Sequence, residues 1–213
     1  MKGVGVAHLG GACVAAVSAV SFFGKGGAVS RRYRSWGVSM PLFVLGGIVV
    51  HTIEVALHAL LFASQLGWLF GTQRSFAFLY IELLSVFWAA TGLGYAAHLL
   101  AASEDNAQLL CLLCIISSAV LSSVTMPLPR LKRTKAFKAL YPLTYVSFIR
   151  YSIEAAMVAE LTHYVNIYNV SVALDIQGFT RDAIYPHLLK IAGLGLGLRV
   201  FAVLLAAGGR CRC

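Results

Sequence analysis

The stretch PLFVLGGIVVHTIEVALHALLFASQLGWLF, Pro41 to Phe70, is followed after a short break by FAFLYIELLSVFWAATGLGYAAHLLA, Phe76 to Ala101. Each run exceeds the roughly 20 apolar residues that take a helix across a hydrocarbon core of ~30 Å. Neither alternates as a barrel strand does, and lipid tolerates only helices and closed barrels, because every backbone N–H and C=O needs an internal partner. Working outward, residues 4–23, 107–126 and 186–208 meet the same test. The sequence therefore predicts an all-α, polytopic integral membrane bundle of about five transmembrane helices, together forming one unit over residues 1–213.

Composition points the same way. Hydrophobic residues make up 59% of the chain and charged residues 12%, against about 25% charged in soluble domains. The 20 glycines and 5 prolines suit helices packed through small side chains in lipid. A net charge of +9 sits mainly in loops between apolar runs, so lipid phosphates rather than nucleic acid are the expected partner.

Two readings of residues 4–23 stand side by side. Lys2, an apolar run and the small residues Ser18, Ala19 and Ser21 also fit a signal peptide. A signal core is usually about 7–15 residues, so the greater length favours a span. Cys13, Cys111 and Cys114 fall inside expected spans as small apolar residues. Cys211 and Cys213, beside Arg210 and Arg212, are either free thiols or palmitoylation sites.

The loops have distinct characters. Gly24–Met40 carries Lys25, Arg31, Arg32 and Arg34, a concentration of charge that marks the cytoplasmic side, as do Arg210 and Arg212. The basic stretch from Arg130 to Lys138, on the opposite face, argues the other way. The first indication is preferred because long structured loops follow the charge rule less closely. Residues 71–75 form a tight turn between the second and third spans, and Ser103–Asn106 places Glu104 and Asp105 at the start of the fourth. After Pro127 and Pro129, residues 140–165 are apolar but carry Arg150, Glu154, Glu160 and His163. That many charges are costly in a full span, so this segment is expected to be re-entrant or interfacial. Arg150 and Glu154, at i and i+4, are spaced to pair. Asn169-Val170-Ser171 is a glycosylation sequon.

Ionisable residues within spans are the first candidates for function. His51, Glu54 and His58 recur at i, i+3 and i+7, a pattern that suits a metal or a proton relay. Three ligands without a fourth fit a metal poorly, and a hydrogen-bonded brace between helices is the simpler reading. Glu82 lies early enough in the third span to sit at the membrane interface. Ser118, Ser122 and Thr125 share a helix face, where bonding back to their own helix is the commonest arrangement. Gly193 and Gly197 form a Gly-x-x-x-Gly step suited to close packing. Arg199 is expected to snorkel or to meet backbone and acidic groups. Trp36, Trp68, Tyr141 and Tyr185 read as interfacial belt residues.

The segment from Leu140 to Ala155 includes Ser147-Phe148-Ile149-Arg150-Tyr151-Ser152-Ile153-Glu154-Ala155. It resembles the Ser-Pro-x-Arg-Tyr segment and following acidic helix of G-subfamily ATP-binding cassette transporters, the white and pleiotropic-drug-resistance type. Phe148 replaces the usual Pro, and Ala159-Glu160-Leu161 replaces a closing Asn-Glu-Phe. Gly197 and Arg199 resemble the Gly-x-Arg of that family's last helix, and Glu54 the acidic residue of its Glu-Leu-Pro. As an ordered set the resemblance covers about residues 31–208.

The resemblance implies a C-terminal portion of a transporter membrane domain that works as a dimer with a nucleotide-binding domain. Arg31, Arg32, Arg34 and Trp36 would contact that domain, Arg150 and Glu154 would brace the re-entrant helix, and Ser118, Ser122 and Thr125 would line the substrate path. No cofactor is expected on this chain. ATP and magnesium would bind the partner domain, because G-x-x-x-x-G-K-[ST] is not matched: Ala19 and Gly26 break it around Gly24-Lys25. The chain is therefore not expected to be an enzyme by itself. The function implied is ATP-driven transport of a lipid or other hydrophobic compound in a plasma membrane or an endomembrane. Two other classes stay open: a small proton- or metal-coupled carrier, and a non-transporting assembly partner.

Overall fold

The computed structural model describes residues 2–24, 32, 35–101, 103–122, 129, 133, 138–165, 169–180 and 184–208. Arg31, Arg34, Thr125, Arg210, Cys211, Arg212 and Cys213 lie outside the described residues, as do the expectations placed on them. Among the described residues seven α-helices follow in order: α1 (Lys2–Gly24), α2 (Met40–Phe70), α3 (Phe76–Leu100), α4 (Glu104–Val120), α5 (Phe148–Leu161), α6 (Val170–Gln177) and α7 (Ile184–Ala207). A 3-10 segment, Lys138–Tyr145, leads into α5. Among the described residues there is no strand, and the architecture is an all-α membrane bundle.

Among the described residues four helices, α1, α2, α3 and α7, are long and apolar enough to cross a membrane. The sequence predicts about five, with a further one over residues 107–126. The described part of the expected 107–126 span is α4, whose 17 residues reach about 25 Å, short of a ~30 Å core. Its end is marked by Ser122, whose N–H bonds the Ala119 carbonyl and whose hydroxyl bonds the same oxygen, tightening the chain out of the helix. Helix α5 has 14 residues, about 21 Å, and cannot cross. Almost all of its residues are nonetheless buried, Arg150 and Glu154 included. It is packed inside the bundle rather than lying along its surface.

Local signals account for the helix boundaries. Ser39 precedes α2 in an extended conformation, with Pro41 in the first turn, where a missing N–H costs nothing. Gly71 ends α2 at φ 54°, a left-handed conformation that glycine adopts without a Cβ clash. Ser75, Ser103 and Ser147 each accept a hydrogen bond from an N–H of the first turn of α3, α4 and α5.

Helix α3 is the axis of the fold, packed against α1, α2, α4, α5 and α7. Lipid supplies no hydrophobic force between helices, so association relies on close contact between small residues. Ala12, Ala15, Ala16 and Ala19 of α1 are buried. At Gly94 an added methyl would stand 2.6 Å from the Ala16 carbonyl oxygen and 2.7 Å from the Ala19 methyl. On α7 the tightly packed glycine is Gly195, against Trp88 and Ala89, rather than the expected Gly193 and Gly197, which meet nothing within 4 Å. The i, i+4 step identifies a face, but the neighbouring helix passes the other side. Helix α2 buries only a narrow stripe, turning Leu42, Val49, Val50, Ile53, Leu57 and Leu61 outward.

Gly94→Ala is therefore expected to lower stability by about 1–3 kcal/mol through overpacking, whereas Gly193→Ala is neutral or better. Reversible unfolding of the purified chain in mixed micelles checks this. Equal loss in both variants would contradict the seam.

Candidate functional site

The polar residues inside the bundle gather into three clusters. The most enclosed centres on Glu82, which is 0% exposed and enclosed by other helices. Arg74, from the turn after α2, places Nη1 2.7 Å from Glu82 Oε2 and Nε 3.1 Å from Glu160 Oε2 of α5. His8 of α1 places Nε2 2.6 Å from Glu82 Oε1, and Ser152 Oγ donates to the same oxygen at 3.3 Å. The Gln73 backbone N–H reaches Glu160 Oε1 at 3.3 Å. A cavity of about 180 Å³ bounded by Phe70, Arg74, Met157 and Glu160 opens beside this cluster. One carboxylate thus fastens α1, α3, α5 and the turn following α2.

A second cluster joins α1, α2, α3 and α7. Arg199 Nη2 donates to Thr91 Oγ1 at 2.7 Å, Nη1 donates to the Gly195 carbonyl at 3.1 Å, and the guanidinium stacks 3.4 Å from the centre of the Trp88 ring. The expectation of backbone partners for Arg199 is met, with Thr91 and Trp88 in place of acidic groups. The Tyr95 ring lies 5.4 Å from Arg199, and the Tyr95 hydroxyl is 2.7 Å from His51 Nδ1. His51 stacks on Phe22 and sits 3.3 Å from Ser18 Oγ.

His51, Glu54 and His58 do not converge into a metal or relay site. His51 is buried, whereas Glu54 and His58 are on the exposed side of α2. The closest His51–Glu54 approach is 3.8 Å. Buried positions on α2 advance in steps of four, through His51, Val55, Ala59 and Ala63. Each step turns the stripe by about 40° at 3.6 residues per turn, which leaves His58 outside it. Among the described residues no group of three metal-binding side chains forms.

The third cluster corrects the Arg150–Glu154 pair. Arg150 Nη1 donates to Thr144 Oγ1 at 2.6 Å, and its guanidinium lies 5.1 Å and 5.6 Å from the centres of the Tyr145 and Tyr151 rings. Glu154 instead accepts from the Thr180 N–H at 3.1 Å and meets His187 Nε2 at 2.9 Å. Both residues secure α5, each to a different neighbour. Burial pushes the Tyr151 phenol above its ordinary pKa, which keeps it the neutral donor to the Tyr145 carbonyl at 2.9 Å.

Ser118 and Ser122 are also engaged within the protein. The Ser118 and Ser147 hydroxyls lie 2.8 Å apart, and Ser147 Oγ donates to the Ser118 carbonyl, pinning the start of α5 to α4. Ser122 bonds its own helix, as Ser and Thr in apolar helices often do. Arg32 and Trp36, in contrast, are exposed at the approach to α2. Sequence reasoning missed the His8–Glu82 contact altogether, since no local spacing relates residues so far apart.

Glu154→Gln removes the charge that His187 meets and is expected to cost about 1–3 kcal/mol of stability. His187→Gln should cost about as much, with the double variant less harmful than the sum. Unfolding midpoints and membrane yield of the three variants test this; additive losses would refute a direct pair.

Comparison with curated proteins gave no match. The family model for the ABC-2 type transporter matches residues 4–161. That stretch takes in every helix from α1 to α5, with the Glu82 cluster and the α1–α2 connection. The match covers well over half of the chain, which belongs to the ABC-2 type transporter family and is the integral, non-catalytic membrane part of such a transporter.

Proposed function

We propose that the chain is the membrane-spanning part of a G-subfamily-like ATP-binding cassette transporter, moving a lipid or other hydrophobic compound. ATP and magnesium bind a nucleotide-binding domain on a partner, and two membrane parts dimerise. Domains of this family generally pair with nucleotide-binding partners and dimerise. The G-subfamily assignment draws support from the Ser147–Ala155 segment. There the Ser, Arg and Glu of the resemblance become a cap, a tether to Thr144 and a tether to His187.

The observation that carries the reading is the connection between α1 and α2. Trp36 is 68% exposed and Arg32 is exposed, within one turn held by the Trp36 N–H and Ser35 hydroxyl on the Arg32 carbonyl. A few residues later α2 begins at Met40. A partner gripping this turn acts directly on α2, which meets the other helices along a narrow buried stripe. Alternating access then proceeds by movement of α2 against a core of α1, α3 and α7 that small-residue contacts hold fixed. A carrier built on His51, Glu54 and His58 lacks geometric support, because two of the three turn outward.

Affinity purification of the tagged chain from native membranes tests the proposal. The expected result is co-recovery of a nucleotide-binding protein and ATPase activity, with Arg32→Glu plus Trp36→Ala cutting recovery at least tenfold. Recovery of the intact chain alone, or unchanged recovery of the variant, would overturn it.

A further inference from the structure

On the outside of the bundle, between the 3-10 segment, α5 and α7, runs an open groove of about 540 Å³. Tyr145 and Tyr151 form one wall; Lys190, Gly193, Gly197 and Leu198 of α7 form the other. Lys190, Gly193 and Gly197 follow one another at i, i+3 and i+7, a track about 10 Å long. Absent side chains make the groove: a Cβ at Gly193 or Gly197 would meet nothing within 4 Å.

The upper end of the groove is cationic. Lys190 Nζ lies 5.1 Å from the centre of the Tyr151 ring, and the Arg150 guanidinium shares that ring and the Tyr145 ring. Arg150 is 8% exposed, and its Nε has no hydrogen-bond partner. Among the described residues neither Arg150 nor Lys190 is paired with a carboxylate. The nearby carboxylate of Glu154 is already held by His187 and Thr180. Two cations around one ring, neither paired with a carboxylate among the described residues, are costly in a membrane domain unless an anion is supplied.

The position narrows what supplies it. Lys190 is in the second turn of α7, near the end of a helix long enough to span, from where its long side chain can reach towards the headgroups. Below it the groove is apolar, lined by Gly193, Leu194, Gly197 and Leu198. A ligand with an anion at the membrane surface and a chain running inward fits both ends. We infer that this groove binds one anionic phospholipid, its phosphate on Lys190 beside Arg150 and an acyl chain along Gly193 and Gly197. The site is separate from the α1–α2 connection and does not rest on the transport mechanism proposed above.

The test uses the full chain reconstituted in vesicles of phosphatidylcholine with a minor share of phosphatidylglycerol, extracted gently and weighed by native mass spectrometry. The expected result is one phosphatidylglycerol retained in preference to phosphatidylcholine. Lys190→Gln should reduce that preference about fivefold, the scale of one cation near an anionic surface; Lys190→Arg should preserve it. Gly197→Leu should abolish retention, and Val200→Leu, on the same helix but outside the groove, should not. Retention of both lipids in proportion to their abundance would overturn the inference, as would an unchanged preference in Lys190→Gln. So would a finding that Gly197→Leu dissociates a dimer of the chain without loss of lipid, since the groove would then seat a second copy.

Discussion

Inside a helical membrane bundle a buried carboxylate needs partners that replace water around it, and Glu82 finds them in Arg74, His8 and Ser152. Removing one member of a buried ion pair typically costs about 3–5 kcal/mol, because the remaining charge has no compensation. The partners come from separate places: α1, α5 and the turn after α2. Satisfying Glu82 therefore requires those elements to arrive together, and α3 is the helix around which they do so. Glu160 extends the cluster through Arg74 towards the cavity at the end of α5.

The remaining structure divides into a held part and a movable part. Ala16 and Ala19 against Gly94, and Gly195 against Trp88 and Ala89, bring α1, α3 and α7 to near-backbone contact. Shapes fitted that closely have few alternative packings. Helix α2 touches the core along a narrow stripe, with His51 as its main polar anchor through Tyr95 and Ser18. A transport cycle needs one element that can shift and a frame that does not. The packing provides this contrast without appeal to general flexibility.

The class of fold was legible in the sequence because bilayer thickness imposes a length and an apolarity that few soluble segments match. The turn at 71–75 and the acidic start at Ser103–Asn106 were legible because capping is local. Pairing between helices was not. The i, i+4 spacing of Arg150 and Glu154 offered a local partner to each, yet tertiary packing supplied better ones in Thr144 and His187. His51 and His58 share a nominal face, but the buried stripe on α2 rotates away between them. Hydropathy placed a fifth span at 107–126, whereas the described helix ends at Val120. Ser118 reads in the sequence as lining a substrate path or bonding its own helix; it meets Ser147, in a segment that no periodicity links to it.

The account depends most on the direct, buried coupling between Arg74 and Glu82. A double-mutant cycle measures it: Arg74→Met, Glu82→Leu and the combined variant, unfolded reversibly in mixed micelles with the wild type. The account predicts a coupling free energy of about 1.5 kcal/mol or more, as found for close charge pairs removed from water, with the double variant more stable than either single. Losses that add to within about 0.5 kcal/mol, as for independent sites, would contradict it.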